Sequence, residues 1–530
     1  MQASTFHAAA LRQLRHFAPD DVGRILPTKV LLLRQIANGL PGAFKFRPAG
    51  DLATEIEWAK NRRIAPADYR TAAVDRDPPI PLDLMHRVYL QYERHKAAEG
   101  LCDFEDLLDR AVRLYDRDDR ALETFRRRYR AFTVDEYQDV NLLQQALLDH
   151  WLGDRDELCV VGDDYQSIYA FTGAGPEHLL AVPAGFPHAT LVRLEENYRS
   201  TPQVLEFANR LVPKLGGAEK VLRSVRPDGP EPDAAPFATP EDEGAAIVRR
   251  IRELDCPLEE IAILARTNAR LADFEELLQD AGIPFQGASL LEREAARRLV
   301  RRVERSTADA AETVRSAALD AGWLPHPPDK LGERELVRQA DLGRLVSLAS
   351  AFDGDAAAFV ADLRRRYDPG GDGARGVHLL TLHRAKGLEF EAVFIPRLEA
   401  RELPSRLAKS EAEIAEERRL FYVGLTRAKR MLWVSWSGKR SRFVKELGLT
   451  SDPQSPGSRT WSPTGEKLRA WRLERARADG VPPYVVFHDS VLHLIADAKP
   501  SSLGELSQIP GVGPAKLERY GADVLTLVEG

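Results

Sequence analysis

Two adjacent acids, Asp135 and Glu136, close the apolar run "AFTV" at 131–134, and a third acid, Asp139, follows shortly after. Carboxylates at the end of a buried strand can hold Mg²⁺, directly or through water, while the second of the pair polarises an attacking water. The same residues also suit a capping Asp beside a surface Glu. The pair alone does not decide between these readings.

Further chemistry follows downstream. The stretch "VVGDDYQSIYAFTGA" (160–174) places Gln166 where an amide can sense a γ-phosphate, with Tyr169 and Phe171 alternating beyond it. Rings beside such a sensor let nucleotide state act on base stacking, worth about 1–3 kcal/mol per base; two core aromatics are the plainer reading. In "LEENYRSTPQVLEFANRL" (194–211), Tyr198 stands beside Arg199, a ring for adenine and a cation for phosphate. "LLTLHRAKGLEFEAVFI" (379–395) sets Thr381, His383, Lys386 and Glu389 between two strand-like runs. "EERRLFYVGLTRAKRMLWV" (416–434) carries Arg419 and Arg427 along a helix into a strand. A guanidinium aimed at a γ-phosphate neutralises charge in the transition state.

Parallel α/β units are the elements that position such groups. "AFTVDE" and "ELCVVGDD" are short apolar runs ending in acids, separated by the helix-like "NLLQQALLDHWLG", so their carboxylates fall at the C-terminal strand edge where such sheets bind ligands. "EGAAIVRRIREL", "EEIAILART" and "ARLADFEELLQDAGIPFQ" repeat the alternation after a Pro- and Asp-rich loop at 226–243, and strands return in "GVHLLTLH", "EAVFIPRL" and "RMLWVSWS". Residues 286–374 are Ala/Arg-rich and read as helical. The first 45 residues read as helical with an apolar stripe through Leu11, Leu14, Ile25 and Leu31, and "DFEDLLDRAVRLYDR" (103–117) places Phe104, Leu107, Leu108, Ala111 and Leu114 on one face.

With 530 residues, 44% of them hydrophobic and 29% charged, the chain has room for several globular domains. No window approaches the roughly 18–20 apolar residues that span a bilayer, and the start lacks the apolar core of a secretory signal, so a reducing cytoplasm is the default compartment. Cys102, Cys159 and Cys256 stand far apart, without zinc or disulfide spacing, and read as buried small hydrophobes. The net charge of −6 hides clustered arginines at 126–130, 297–305 and 364–366. Each run suits a solvated helix face; several together are compatible with a localised phosphate-binding groove.

"DEYQD", "GDDYQSIYAF", "ENYRS", "LHRAKGLEF" and "YVGLTRAK", in this order, resemble motifs II to VI of the UvrD/Rep family of superfamily 1 DNA helicases. "STFHAAALRQLR" is similar to that family's motif Ib and "DFEDLL" to a further signature of its first domain. The resemblance covers residues 1–440 and implies an α/β fold with two RecA-like parallel-sheet cores. The first core would occupy 1–200, N-terminally incomplete, with a helical insertion at about 45–105. The second would occupy 201–285 and 375–445, with a helical insertion at 286–374. It also implies ATP-driven 3′–5′ movement on single-stranded and forked DNA in repair or replication, with Mg²⁺, ATP and repair proteins as cofactors and partners. Asp135 and Glu136 would then serve Mg²⁺ and water, and Gln166, Arg199 and Arg427 the phosphates. Tyr198 and Glu389 would meet adenine and ribose, and Thr5, His7, Tyr169, Phe171 and His383 the DNA.

After a linker at 446–466, residues 467–530 resemble an HRDC domain, a small all-α module that marks a bacterial subgroup of these helicases. "FTGA" in motif III is in keeping with that subgroup, whereas its frequent four-cysteine segment is not seen here. The turn "PGVGPAKLERYG" suits either helix N-terminal amides and Lys516 presented to a phosphate or a tight helix–helix corner.

A phosphate loop G-x-x-x-x-G-K-[ST] cradles phosphates with backbone amides and ligates Mg²⁺ through its hydroxyl. The one Gly-Lys pair, in "SGKRS" (437–441), lacks the first Gly. In the family this loop lies upstream of motif Ib, so the expectation is a shortened helicase in which Asp135 and Glu136 face half a nucleotide site. The alternative is an inactive protein that binds DNA or a partner through the second core and HRDC.

Overall fold

The structure, a computed structural model, describes residues 2–529 apart from 43, 45–46, 48, 219, 288–289, 326–332, 368–375, 450–461, 479–485, 488, 510–511 and 513. The chain divides into two compact units: Met1–Leu194 with Leu215–Lys220 and Pro328–Leu336, and the remainder. The expected linker falls largely outside the described residues, as does part of the turn before Lys516.

The first unit is helical around a small parallel ribbon. Helices α1 (Phe6–Phe17), α2 (Ala49–Asn61), α3 (Leu82–Ala98) and α4 (Phe104–Arg117) precede strand β1 (Phe132–Val134). Helix α5 (Leu142–Leu152) then leads to β2 (Leu158–Val160), which pairs with β1 in parallel, Thr133 opposite Cys159. Helices α4 and α5 start at capping boxes, Asp103 with Asp106 and Asn141 with Gln144, which satisfy amides that a helix start leaves open. Alternation along the ribbon turns Phe132, Val134, Leu158 and Val160 onto the core, while Thr133 and Cys159 are exposed on the other face.

Three sequence expectations need correction here. The stripe over the first 45 residues breaks after α1, at Pro19 and at Gly23 with φ +65°, so Ile25 lies on a two-residue strand and Leu31 is 56% exposed. Phe104, at the first turn of α4, is exposed although Leu107, Leu108, Ala111 and Leu114 are buried. Of the cysteines, only Cys102 is buried, whereas Cys159 is exposed and Cys256 half-buried.

A charged cluster ties these helices together. Asp103 receives Lys60 of α2 at 2.7 Å, Lys96 of α3 at 2.8 Å and the Tyr92 hydroxyl at 2.9 Å. Lys60 and Lys96 also reach Asp106 and Glu93. The carboxylates of Glu93, Asp103 and Asp106 converge as a metal site would, but the two ammonium groups already supply the positive charge.

The second unit is built on a six-stranded, all-parallel sheet. Its strands are β3 (Asp233–Pro236), β4 (Ile261–Ala265), β5 (Phe285–Gly287), β6 (Val377–Thr381), β7 (Phe390–Ile395) and β8 (Ala428–Trp436), in spatial order β3-β8-β7-β4-β6-β5. Strand β4, "IAILA", is buried along its whole length, as expected for a central strand covered on both faces. Helices α6 (Pro202–Asn209), α7 (Pro240–Glu253), α8 (Asn268–Asp280) and, after β7, the capped helix Glu411–Leu425 flank the sheet.

Between β5 and β6, helices α9 (Glu294–Val303), α10 (Ala310–Asp320), α11 (Glu333–Ser350) and α12 (Ala356–Tyr367) pack around their own core. The C-terminal helices close over Leu468, Phe487, Leu492, Ile495, Tyr520 and Val524. The fold class is mixed α/β with parallel sheets. Among the described residues, no helix is long and apolar enough to cross a membrane.

Candidate nucleotide and DNA site

In the first unit the chemistry sits at the C-terminal end of the ribbon. Asp135 follows β1 directly, and its Oδ1 accepts the Glu136 amide at 2.8 Å. Glu136 adopts the left-handed backbone conformation, φ +51°, ψ +40°, which costs a non-glycine residue roughly 1–2 kcal/mol. Both side chains remain exposed. Two outward carboxylates, one held by a strained backbone, suit a hard divalent cation and a water.

The residue that organises this corner is one that sequence reasoning missed. Gln138 is 1% exposed; its Nε2 donates to Glu136 Oε2 at 2.6 Å, and its Oε1 accepts the Asp163 amide at 2.9 Å. Its carbonyl accepts the Ser167 hydroxyl at 3.2 Å. A Cβ on Gly162 would come within 2.6 Å of Gln138 Oε1 and 3.2 Å of its backbone nitrogen, so a side chain there would displace this amide from its place. The available signal was a polar residue inside "DEYQD" that burial obliges to find partners.

Gln138 thereby joins the acids to the segment carrying Gln166, whose Nε2 donates to Asp163 Oδ2 at 2.8 Å. Asp163 and Asp164 are in turn held by Lys220. Tyr169 and Phe171 meet edge-on, centroids 6.0 Å apart, with Phe171 41% exposed. Burial raises the Tyr169 hydroxyl pKa, and Asp139 and Glu136 add to the effect, so the ring lies within electrostatic reach of those two acids.

Motif Ib residues occupy another part of this unit. Thr5 caps α1 by accepting the Ala8 amide at 3.2 Å. His7 lies edge-on to Phe104 at 6.0 Å, its pKa lowered by burial and by Lys29.

The second unit presents its groups at the opposite strand end, before β7 and β8. Asn197 Oδ1 accepts the amides of Arg199 and Ser200; Ser200 Oγ donates to the Ala428 carbonyl at 2.6 Å, and Thr201 N to that of Lys429 at 2.9 Å. This stitching holds Arg199 beside Glu389, Nε to Oε2 2.6 Å. Arg199, with Lys429 at 3.6 Å, keeps the Glu389 carboxyl below its ordinary range. Glu196, Asn197, Tyr198, Arg199 and Glu389 line a hollow of about 400 Å³, within the range that takes a small ligand. The Tyr198 ring is 73% exposed there, its hydroxyl donating to Glu196 at 2.8 Å.

Two expected contacts are placed differently. Arg427 is 1% exposed, and its guanidinium donates to the carbonyls of Val423 and Leu388 at 3.0 and 3.2 Å. It braces the turn that carries Glu389 rather than facing solvent. Lys516 lies over the Phe487 ring at 5.6 Å with its pKa lowered by burial, near Asp280 and Glu276, so it is not offered to a phosphate.

His383, after β6, has its pKa pushed down to about 3 by burial and then by Arg266, so its ring is neutral near pH 7. A native pKa below the unfolded value of about 6.5 means that the unfolded chain binds the extra proton, and stability falls as pH drops below about 6.5. The half-open position of the ring tempers this to about 1 kcal/mol between pH 7.5 and 5. His383→Gln should flatten that part of the acid-denaturation profile followed by circular dichroism.

Comparison with known proteins agrees with these features. The model of the UvrD/REP helicase N-terminal domain matches residues 1–187, that of the UvrD-like helicase C-terminal domain matches 192–300 and 360–439, and that of the HRDC domain matches 466–528. The chain belongs to the UvrD/REP helicase family. It is 37% identical over 612 residues to the ATP-dependent DNA helicase UvrD2 of Mycobacterium tuberculosis, covering 100% of this chain and 87% of that protein. It is also 28% identical to the ATP-dependent DNA helicase PcrA of Bacillus subtilis, over 83% of this chain and 73% of that one. DNA helicase II of Escherichia coli is 30% identical over 68% of this chain and 63% of its own length.

Proposed function

We propose that the chain is of the ATP-dependent 3′–5′ DNA helicase type represented by UvrD, serving DNA repair or replication, that it carries catalytic and binding groups of the nucleotide site, and that it turns over ATP only when a phosphate-cradling loop, which these 530 residues do not include, is supplied. The observation that carries this reading is the hollow in which Tyr198, Arg199 and Glu389, drawn from distant parts of the chain, converge. Asp135 and Glu136 would hold Mg²⁺, which supplies charge neutralisation at the phosphates. Glu136 orients the attacking water, and Gln166 reports phosphate occupancy to the segment bearing Tyr169 and Phe171. A γ-phosphate competes with Glu389 for the Arg199 guanidinium, which frees Glu389 for a ribose hydroxyl while Tyr198 covers the base. Arg427 positions that turn. Tyr169, Phe171, Thr5, His7 and His383 are the groups on the DNA side.

A second reading, a DNA- or partner-binding protein that does not hydrolyse ATP, is favoured by one observation: G-x-x-x-x-G-K-[ST] occurs nowhere in the sequence. Both readings are tested by measuring DNA binding and DNA-stimulated ATP turnover of the 530-residue polypeptide together. Binding without turnover is expected. Turnover would overturn the half-site reading, and failure to bind single-stranded or forked DNA would overturn both.

A further inference from the structure

The segment that opens at Asp163 and carries Gln166, Tyr169 and Phe171 is anchored at both ends by residues distant in sequence. At its far end Asn61, the last residue of α2, donates to the Thr172 carbonyl at 2.7 Å. At its start the anchor is a short return of the chain. After Lys214 the chain leaves the second unit, contributes Leu215–Lys220 to the first, and rejoins the second at Val221. This strap is fitted closely to two aspartates. The Ala218 amide donates to Asp164 Oδ2 at 2.8 Å, and Lys220 Nζ reaches Asp163 Oδ1 at 2.5 Å and Asp164 as well. Gly217, at φ +84°, has no room for a side chain beside the Asp164 carboxylate. Lys220 also lies over the Tyr165 ring, 4.1 Å from its centre.

Asp163 is shared between strap and sensor, since its Oδ1 meets Lys220 while its Oδ2 accepts the Gln166 amide. The other end of the strap leads to the hollow. Three residues after Lys220, Arg223 and Ser224 pair in parallel with Glu196 and Asn197. Arg223 N donates to the Glu195 carbonyl at 2.8 Å and Val225 N to that of Asn197 at 3.0 Å. Asn197 in turn holds the amides of Arg199 and Ser200. An ion pair, a stretch of covalent chain and a two-residue strand pair therefore join Gln166 to Arg199 in one series.

We infer that Lys220 is a positioning residue that ties the phosphate-sensing segment to the strand pair holding Tyr198 and Arg199, so that a strand bound at Tyr169 and Phe171 is felt at the hollow; the inference rests on the helicase reading above. Coupling of this kind is carried by contiguous bonded and packed groups. A surface lysine on a loop gains little from an ion pair, but the Lys220 side chain is 18% exposed and that of Asp164 only 4%. A shift of the segment must carry Lys220 along or leave a nearly buried carboxylate short of its counter-ion, which is costly. Without the ammonium the two adjacent aspartates repel each other, and the Ala218 amide alone keeps the strap on Asp164.

The test uses the full chain and its Lys220→Gln and Gly217→Ala variants, read by hydrogen–deuterium exchange with and without a single-stranded oligothymidylate. In wild type the oligonucleotide should slow exchange in peptides covering 164–172 and also, about 5-fold or more, in peptides covering 196–200, the lower end of what coupled sites give. Lys220→Gln keeps the response at 164–172 and loses that at 196–200. Gly217→Ala leaves every charge in place but drives the strap off Asp164, and it loses the distant response as well. Lys220→Arg, which keeps the charge, retains it. A lysine that only stabilised the fold would change exchange in the free protein and leave the response to DNA intact. A response at 196–200 that survives either Lys220→Gln or Gly217→Ala overturns the inference, as does a wild-type chain that binds the oligonucleotide without that response. A wild-type chain that binds no DNA overturns it together with the helicase reading.

Discussion

Replacing Asp103 by asparagine is expected to destabilise the first unit by about 3 kcal/mol, because it removes the most buried of three carboxylates that face two buried ammonium groups. Asparagine keeps the shape and the helix-capping oxygen of the aspartate, so the loss isolates the charge. Lys60 and Lys96 have side chains only 8% and 2% exposed, and Asp103 is the most buried carboxylate they share, Asp106 and Glu93 lying nearer solvent. Urea unfolding followed by tryptophan fluorescence should show the midpoint shift, and a change below about 1 kcal/mol would refute the charge-cluster account.

Burial alone would raise the Asp103 carboxyl, but Lys60 and Lys96 outweigh it and hold the group well below its ordinary range. A depressed native pKa gives stability that is present above the unfolded value of about 3.9 and is lost as pH falls through the native one. Lys60 runs the other way. Burial opposes its charge, Asp103 and Glu93 outweigh that, and its raised pKa gives stability that is lost only as pH rises beyond about 10.4. The gap between wild type and Asp103→Asn should therefore stay flat from about pH 5 to 9.

Glu136 carries the second large effect. In a form of the protein that bears a phosphate loop, Glu136→Gln should lower the rate of DNA-stimulated ATP hydrolysis about 10²–10⁴-fold, the usual contribution of a positioned base. Its KM for ATP and its DNA affinity should stay within a few-fold of wild type. Glu136→Gly should lose hydrolysis equally and yet be more stable than Glu136→Ala by about 0.5–1 kcal/mol, because both variants lose the bond from Gln138 and only glycine takes the left-handed conformation without strain. A Gly variant no more stable than the Ala variant in a thermal melt would show that the backbone there is relaxed.

Much of the architecture was legible because apolar runs of strand length bounded by charged residues, such as "AFTVDE" and "EEIAILART", can serve few purposes in a globular chain. The segments bearing Tyr198, Arg199 and Glu389 were legible from residue type and order. How these groups are held was not, since the partners are far apart in sequence: Arg199 meets Glu389, and Lys60 meets Asp103. Periodicity also failed at element ends. Phe104 fits the apolar stripe of α4 by position, but it stands on the first turn, where the core has already curved away. Lys516 lay beyond reach for a similar reason, because the acids beside it come from α8 and the ring, Phe487, from the segment before the helix that starts at Asp489.

The exposed side of the small β1–β2 ribbon has a practical corollary. Cys102 is buried with its thiol pushed up to about 11, and Cys256 is half-buried with its pKa also raised by burial. Cys159 stands in solvent, paired across the ribbon with Thr133, two residues before Asp135. A maleimide dye applied at neutral pH thus has one favoured attachment point, one strand away from the acids. The native protein can report by fluorescence, without any engineered cysteine, when something comes to lie along that strand.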